Sequence, residues 1–244
     1  RPVFVAFVTA GFPDPDETVD ILLGLERGGA DIIELAFRFM RAILHVLILF
    51  PSNSGVPFTD PLADGPTIQE ANTIALGYNI DIPRCLDTVR EARQRGLKVP
   101  VVFMGYYNPV LSYGEEKIVV DCKAVGVDVI ILALEEVCAS ARHYILLSYI
   151  PLIAPSTTSK RIKHLASIAD SFIYVVSKMG VTGSSDTVNS ELPQLVARIR
   201  EHTSLPLAVG FGVSTREHFK TVAKHANGVV IGSRIVTVLK QAGA

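Results

Sequence analysis

Short apolar segments that alternate with longer amphipathic segments are the feature that most restricts the fold of this chain. Eight runs rich in Val, Ile and Phe are separated by stretches whose apolar residues recur at helical spacing. This alternation is typical of βα units. The predicted strands are 3–9, 31–35, 99–104, 127–134, 148–153, 172–176, 207–209 and 228–231.

Several of these runs are apolar at consecutive positions, which indicates that both faces of the sheet are covered, as in a parallel sheet beneath helices. Eight strands, most followed by a helix, within 244 residues match a (β/α)8 TIM barrel of the α/β class. A doubly wound open sheet is the alternative. No linker-like segment or charge run divides the chain, so we expect one domain spanning residues 1–244.

Local signals mark the starts and faces of the predicted helices. Asp14, Pro15 and Glu17 form a D-P-x-E entry, and Ser214 and Glu217 have capping-box spacing. Two apolar stripes follow the i, i+3, i+4, i+7 pattern. They are Ile162, Leu165, Ala166 and Ala169, and Leu192, Leu195, Val196 and Ile199.

Composition excludes several classes of partner. The formal net charge is -1, so no overall basic field exists to bind nucleic acid or an anionic membrane surface. The apolar run 42–50 is interrupted only by His45 and is far shorter than the roughly 20 residues of a spanning helix. We therefore expect neither a nucleic-acid partner nor a membrane partner.

Cysteine and histidine usage points to a reducing compartment and no metal. Cys85, Cys122 and Cys138 are odd in number and lie among apolar neighbours, as expected of reduced, buried thiols in a cytoplasmic protein. The six histidines show no i, i+4 pair or H-E-x-x-H motif, so we expect no metal site. The strand-like run begins almost at the first residue, without a signal peptide, and we expect a missing N-terminal piece.

Three carboxylates are considered under the rule that barrels carry their chemistry at the C-terminal ends of the strands. Glu34 ends an apolar strand, where loss of hydration would raise its pKa toward the range useful for proton transfer; the alternative is a strand-end salt bridge. Asp60 and Asp64 lie in a stiff loop, G-V-P-F-T-D-P-L-A-D-G-P-T-I-Q. We favour an Asx-turn role for Asp60 and leave both readings open for Asp64.

Three glycine-rich turns follow the late predicted strands, at 180–185, 210–214 and 232–233. Backbone N–H groups and helix N-termini at such positions can bind a phosphate. A dinucleotide site would need G-x-G-x-x-G after an early strand, which this chain lacks. Tyr106 and Tyr107 follow the third strand and Tyr174 lies within the sixth, so all three are candidates for lining the cavity, with plain packing as the alternative.

Five long segments carry motifs specific enough to compare with a known family. They are F-V-T-A-G-F-P-D-P-D-E-T-V-D-I-L-L-G-L-E-R-G-G-A-D-I-I-E-L, G-V-P-F-T-D-P-L-A-D-G-P-T-I-Q, F-M-G-Y-Y-N-P, I-Y-V-V-S-K-M-G-V-T-G and V-G-F-G-V-S-T-R-E-H-F. These segments closely resemble the α domain of tryptophan synthase, particularly its fungal form. The resemblance covers nearly the whole chain. It implies a TIM barrel that cleaves indole-3-glycerol phosphate to indole and glyceraldehyde 3-phosphate by a retro-aldol reaction, a step of tryptophan biosynthesis.

The resemblance also implies roles for individual residues. Glu34 would be the general acid/base and Asp64 would bind the indole N–H. The remaining positions would bind substrate, with the glycines and the serine holding its phosphate: Tyr106, Tyr174, Gly183, Gly212, Gly232 and Ser233. The domain itself would need no cofactor. A β domain or subunit, carrying pyridoxal phosphate, would be its partner.

Two departures from the family pattern are visible. Family members run from the glutamate directly into G-V-P-F-T-D-P, whereas here a 19-residue apolar segment, 36–54, intervenes after the second strand. We interpret it as an unspliced intron translated in frame, with a lid or a partner-docking helix as alternatives. The loop after the fourth strand also lacks the family's prolines, which weakens the expectation of β contact.

Two other functions compete with the lyase. One is a catalytically impaired barrel module that only binds phosphate or a β-like partner. The other is a different phosphate-handling isomerase or aldolase, against which the lack of an obvious strand-end Schiff-base lysine argues. Access of substrate to Glu34 and Asp64 would separate the lyase from the non-catalytic module.

Overall fold

A computed structural model describes residues 1–37, 64–105, 107–132, 150–177, 190–210 and 212–243. The secondary-structure elements of these residues alternate between strand and helix, as predicted. The strands are β1 (Val3–Thr9), β2 (Ile32–Ala36), β3 (Val101–Gly105), β4 (Val129–Leu132), β5 (Leu152–Ile153), β6 (Ile173–Val176), β7 (Leu207–Gly210) and β8 (Gly228–Ile231).

The helices of the described residues lie between and after these strands. A 3-10 turn, Pro15–Glu17, leads into the first of them. The helices are α1 (Thr18–Arg27), α2 (Pro66–Gly77), α3 (Ile82–Gln94), α4 (Tyr107–Tyr113), α5 (Glu115–Val125), α6 (Ser159–Ile168), α7 (Leu192–Arg200), α8 (Arg216–Val222) and α9 (Ser233–Ala242).

Strand order distinguishes the barrel from the open sheet. The eight strands form one sheet in the order β4-β3-β2-β1-β8-β7-β6-β5. β1 pairs in parallel with β2 and also with β8, so the first and last strands are neighbours. A doubly wound sheet reverses direction at a switch point and has no such cyclic order. The fold is therefore that of a TIM barrel, and the prediction is confirmed.

Both faces of the sheet are covered by apolar side chains, as the continuous apolar runs predicted. Side chains at successive strand positions point to opposite faces. In β1, Val5 and Phe7 belong to one buried cluster, and Ala6 and Val8 belong to another that packs beneath the helices. The first cluster fills the barrel interior with side chains from β3, β4, β6, β7 and β8.

The predicted helix entries are confirmed in one case and displaced in the other. Asp14 caps the 3-10 turn by accepting a hydrogen bond from the Asp16 N–H. At α8 the capping-box prediction was wrong by one residue, because Thr215 rather than Ser214 is the N-cap and accepts from the His218 N–H. The two predicted apolar stripes lie on α6 and α7, where all their members except Ala169 are buried.

The first two residues of the predicted insertion belong to the barrel. Ala36 is the last residue of β2 and pairs with Met104. The Phe37 N–H donates to the Met104 carbonyl, and the Phe37 ring packs on Phe103 with 5.6 Å between ring centroids. Residues 38–54 lie outside the described part of the chain.

Arg93, on α3, contacts three segments at the N-terminal end of the barrel. Its guanidinium donates to the carbonyls of Leu97, Val99 and Gly126 at 2.8 to 3.1 Å. It also pairs with Asp128 at 3.0 Å. These contacts join α3 to the segments that enter β3 and β4.

We expect Arg93→Ala to lower the free energy of unfolding by about 2 kcal/mol, because partly buried carbonyls lose their charged donor. Urea denaturation followed by circular dichroism measures this. Arg90→Ala is the matched control, since Arg90 lies on the same helix but makes an exposed pair with Asp87 that contributes little. Equal effects of the two substitutions would contradict the role given to Arg93.

Candidate active site

Glu34 lies at the centre of the candidate site, on β2 and inside the barrel. Its neighbours in sequence, Ile33 and Leu35, pack beneath the helices, so its own side chain points inward. In the parallel register it stands between Phe7 of β1 and Val102 of β3, both members of the interior cluster. A carboxyl group is thereby placed among apolar side chains.

The environment of Glu34 favours its neutral form. The side chain is 1% exposed, and neither carboxyl oxygen has a hydrogen-bond partner among the described residues. Burial, and secondarily the negative charge of Asp64, raise the pKa of Glu34 from 4.5 to about 8. Desolvation disfavours the charged carboxylate, and a nearby like charge adds to the effect. A carboxyl group in this environment can donate a proton near neutral pH.

Asp64 is held immediately before α2. Gly65 is extended at the helix N-cap and Pro66 occupies the first turn, where the lack of an N–H costs nothing. The Gln69 side chain donates to the Asp64 carbonyl at 2.7 Å. The Asn72 amide Nδ2 donates to the Asp64 carboxylate at 3.2 Å. These contacts attach Asp64 to α2, whereas Asp60 lies outside the described residues.

Tyr174 enters the barrel interior from β6. It is a member of the interior cluster and is buried. Burial, followed by the negative charges of Glu34 and Asp64, raises the pKa of the Tyr174 phenol well above its usual value. The phenol oxygen also lies against Gly210 of β7, where an added Cβ would come within 2.8 Å of it. Glu34, Asp64 and Tyr174 thus share one region of the barrel interior.

The described glycine turns lie at the C-terminal ends of β7 and β8. Gly212 has a φ of +84°, a conformation that favours glycine. Gly232 precedes α9 and Ser233 is the first residue of that helix. A side chain at Gly232 would meet the Phe7 ring at 3.2 Å, so the backbone there approaches the barrel interior closely. Exposed N–H groups and the helix dipole can bind a phosphate at such a position.

Two of the predicted binding residues lie outside the described part of the chain. They are Tyr106 and Gly183. Tyr107 begins α4. The structure therefore brings together Glu34, Asp64 and Tyr174, and places Gly212, Gly232 and Ser233 at the ends of neighbouring strands.

Sequence reasoning missed Asn72 and Thr9, which complete a buried hydrogen-bonded chain to Asp64. The Thr9 hydroxyl donates to the Asn72 carbonyl oxygen Oδ1 at 3.3 Å. A signal was present, because Asn72 occupies the buried face of α2 together with Ile68, Ala71 and Ala75. A polar residue on an apolar helix face needs a buried partner.

The described residues form neither a metal-binding cluster nor a membrane-spanning helix. No group of three or more His, Cys, Asp or Glu side chains there is arranged to hold a metal ion. None of the helices in those ranges has the length and apolar character needed to cross a membrane.

The arrangement suits proton-transfer chemistry on a phosphorylated substrate. Two carboxyl groups in different environments can serve as a proton donor and a fixed negative charge. Glu34 is buried among apolar groups, whereas Asp64 is half-buried and accepts a hydrogen bond from Asn72. The glycine turns at the same barrel end could hold the phosphate.

Comparison with known proteins identifies relatives over nearly the whole chain. The family model described as tryptophan synthase alpha chain matches residues 1–44 and 53–244. Tryptophan synthase of Saccharomyces cerevisiae is 48% identical over 98% of this chain, which spans 32% of the yeast protein. The tryptophan synthase alpha chain of Roseiflexus castenholzii is 38% identical over 99% of this chain and 87% of the relative.

Solved structures agree with this similarity. A chain of tryptophan synthase from Mycobacterium tuberculosis superposes with a TM-score of 0.81 at 32% identity, covering 99% of this chain and 86% of that one. A protein from Aquifex aeolicus superposes with a TM-score of 0.82 at 31% identity, covering 99% and 87%.

The raised pKa of Glu34 predicts a pH-dependent stability. Between its ordinary value of 4.5 and about 8 the folded chain binds more protons than the unfolded chain. The stabilisation by neutral Glu34 is therefore complete below this window and is lost as pH rises through it. Relative to Glu34→Gln, the unmodified chain should lose up to about 1.4 kcal/mol of unfolding free energy per pH unit.

Urea denaturation of both proteins at several pH values across that window measures the difference. Glu70→Gln is the control, because Glu70 is exposed and pairs with Lys240 on the surface. A difference between Glu34→Gln and the unmodified chain that stays constant with pH would contradict the raised pKa.

Proposed function

The chain belongs to the tryptophan synthase alpha chain family, and we propose that Glu34 and Asp64 enable it to cleave indole-3-glycerol phosphate to indole and glyceraldehyde 3-phosphate. The observation that carries this proposal is the buried Glu34 carboxyl, neutral at physiological pH and within electrostatic reach of Asp64. The activity places the enzyme among carbon–carbon lyases of tryptophan biosynthesis.

The reaction requires a proton at indole C3 before the bond to the glycerol chain can break. Glu34, as the neutral acid, donates that proton. The ring nitrogen then carries developing positive charge. The Asp64 carboxylate accepts a hydrogen bond from the indole N–H and stabilises this charge. Electron flow from the broken carbon–carbon bond restores the indole ring.

The glycerol hydroxyl adjacent to the breaking bond must lose its proton as the aldehyde forms. The Glu34 carboxylate, left after the first proton transfer, accepts it and returns to its starting state. Protons therefore balance over one turnover. All steps are proton transfers and one carbon–carbon cleavage, so we propose that this domain uses no cofactor of its own.

Substrate binding is assigned to the remaining residues around the barrel mouth. Tyr174 borders the region of Glu34 and Asp64 and Tyr106 is proposed to line the same pocket. The phosphate is proposed to bind at Gly183, Gly212, Gly232 and Ser233. Phosphate binding remote from the reacting atoms would hold the indole ring in position for proton transfer.

A β domain or subunit is the proposed partner. The yeast relative is about three times as long as this chain, which accommodates a second domain on the same polypeptide. Pyridoxal phosphate chemistry would belong to that partner. The free, buried thiols of Cys85 and Cys122 support the cytoplasm as the compartment in which the two act.

We expect Glu34→Gln to lower kcat for indole release by about 10² to 10⁴, because the amide cannot donate and accept the transferred proton. Asp64→Asn should lower kcat by about 10² to 10³ by removing the charge that stabilises the ring nitrogen. The assay is indole release from indole-3-glycerol phosphate, with and without a β subunit.

Glu70→Gln and Asp87→Asn are matched controls, since both residues are exposed and form surface ion pairs. They should retain full activity. An unmodified chain that binds the substrate but releases no indole even with the β subunit would instead support the non-catalytic module.

The segment 36–54 is proposed to be an insertion within a single domain of residues 1–244. The family model leaves residues 45–52, inside this segment, unmatched. Its removal would bring Glu34 and Asp64 from 30 positions apart to 11.

We expect the chain lacking 36–54 to release indole at least as fast as the full chain, because Gly55 and Val56 would then follow Leu35 in place of Ala36 and Phe37, as the family pattern has it. Parallel kinetic assays of the two chains measure this. Loss of activity on deletion, with the full chain active, would show that the segment is a working part of the site.

A further inference from the structure

Asn72 has a buried side-chain amide that makes one hydrogen bond through its nitrogen and another through its oxygen. It lies on the apolar face of α2 and is 4% exposed. Its amide nitrogen faces the Asp64 carboxylate at 3.2 Å, and its amide oxygen faces the Thr9 hydroxyl at 3.3 Å. An asparagine in a plain packing role would not need a carboxylate on one side and a hydroxyl on the other.

Thr9 determines which way the Asn72 amide is turned. Thr9 is the last residue of β1 and is 3% exposed. Its carbonyl accepts from the Phe12 N–H, so the backbone that carries the hydroxyl is held by both the strand and the turn after it. A hydroxyl that donates to Oδ1 leaves Nδ2 directed at Asp64.

The direction of these hydrogen bonds matches one protonation state of Asp64. An ionised carboxylate only accepts hydrogen bonds, and Asn72 presents a donor to it. A reversed amide would bring Oδ1 against the carboxylate oxygen, which is repulsive. The hydrogen bonds from Thr9 to Asn72 and from Asn72 to Asp64 therefore present a donor, and not an acceptor, to the Asp64 carboxylate.

The hydrogen-bonded chain also connects two rigid elements to a residue that precedes a helix. β1 is paired on both sides, with β2 and β8, and it carries Thr9. α2 carries Asn72 and contacts β1 and α9. Asp64 itself belongs to a loop, and carboxylates on loops need such support to be held at a fixed position.

We propose that Asn72 and Thr9 are positioning residues for the lyase reaction, holding the Asp64 carboxylate in a fixed orientation toward the substrate ring. This inference rests on the function proposed above. Gln69 differs from them, because it contacts the Asp64 carbonyl rather than the carboxylate.

The test compares Thr9→Val with Thr9→Ser in the full chain, assayed for indole release. Valine keeps the shape of threonine but has no hydroxyl, whereas serine keeps the hydroxyl and loses the methyl group. We expect Thr9→Val to lower kcat about threefold to tenfold with KM within about twofold, since the supported charge acts mainly in the transition state. Thr9→Ser should recover most of the lost kcat.

Asn72→Ala is the second variant, with an expected loss of kcat of at least about tenfold, because it removes a hydrogen bond to a charged group. Unfolding midpoints of all variants show whether the proteins are folded under assay conditions. Thr73→Val is the matched control, because Thr73 is exposed on the same helix and its hydroxyl donates only to the Gln69 carbonyl among the contacts seen. It should leave kcat unchanged.

The outcomes separate this inference from the function on which it rests. If the unmodified chain is active and Thr9→Val has the same kcat, the positioning role alone is overturned. The same holds if the kcat of Thr9→Ser is as low as that of Thr9→Val. The positioning role is also overturned if the kcat of each variant falls only in proportion to the fraction of protein that is unfolded. An unmodified chain that releases no indole, even with a β subunit, overturns the proposed function and the inference with it.

Discussion

Parallel pairing of β1 with both β2 and β8 is the constraint on which the rest of the molecule depends. This pairing makes the first and last strands neighbours, and it sets a register in which Phe7 stands opposite Glu34. Because strand side chains alternate between faces, the register decides that Glu34 enters the apolar interior while Ile33 and Leu35 pack beneath the helices. A shift of one residue would place the carboxyl outside the barrel.

Burial then assigns different chemistry to two similar side chains. Glu34 comes from a strand and loses nearly all contact with water, so its acid form is favoured. Asp64 precedes α2, is half-buried and accepts a hydrogen bond from Asn72. The negative charge of Asp64 adds to the effect of burial in raising the pKa of Glu34.

Much of this arrangement could be predicted from local patterns. The alternation of apolar and amphipathic segments predicted the strands, and continuous apolar runs predicted a sheet covered on both faces. Glu34 was a candidate because it interrupts an apolar strand end. The capping prediction at Ser214 was less accurate, because Thr215 follows it directly and either residue can cap; the backbone conformation around the turn selects Thr215. Asn72 and Thr9 are 63 positions apart, and no local pattern links them.

The sequence by itself determined the class of fold, the membership of a family and the identity of the candidate carboxyl groups. These depend on periodicity, composition and motifs, which are properties of neighbouring residues. Tertiary structure alone decided that Glu34 lacks a hydrogen-bond partner among the described residues, that its pKa lies near 8, and that Thr9 and Asn72 form a chain to Asp64. Desolvation and hydrogen bonding depend on which distant segments meet in space, and strand register and helix packing set those meetings.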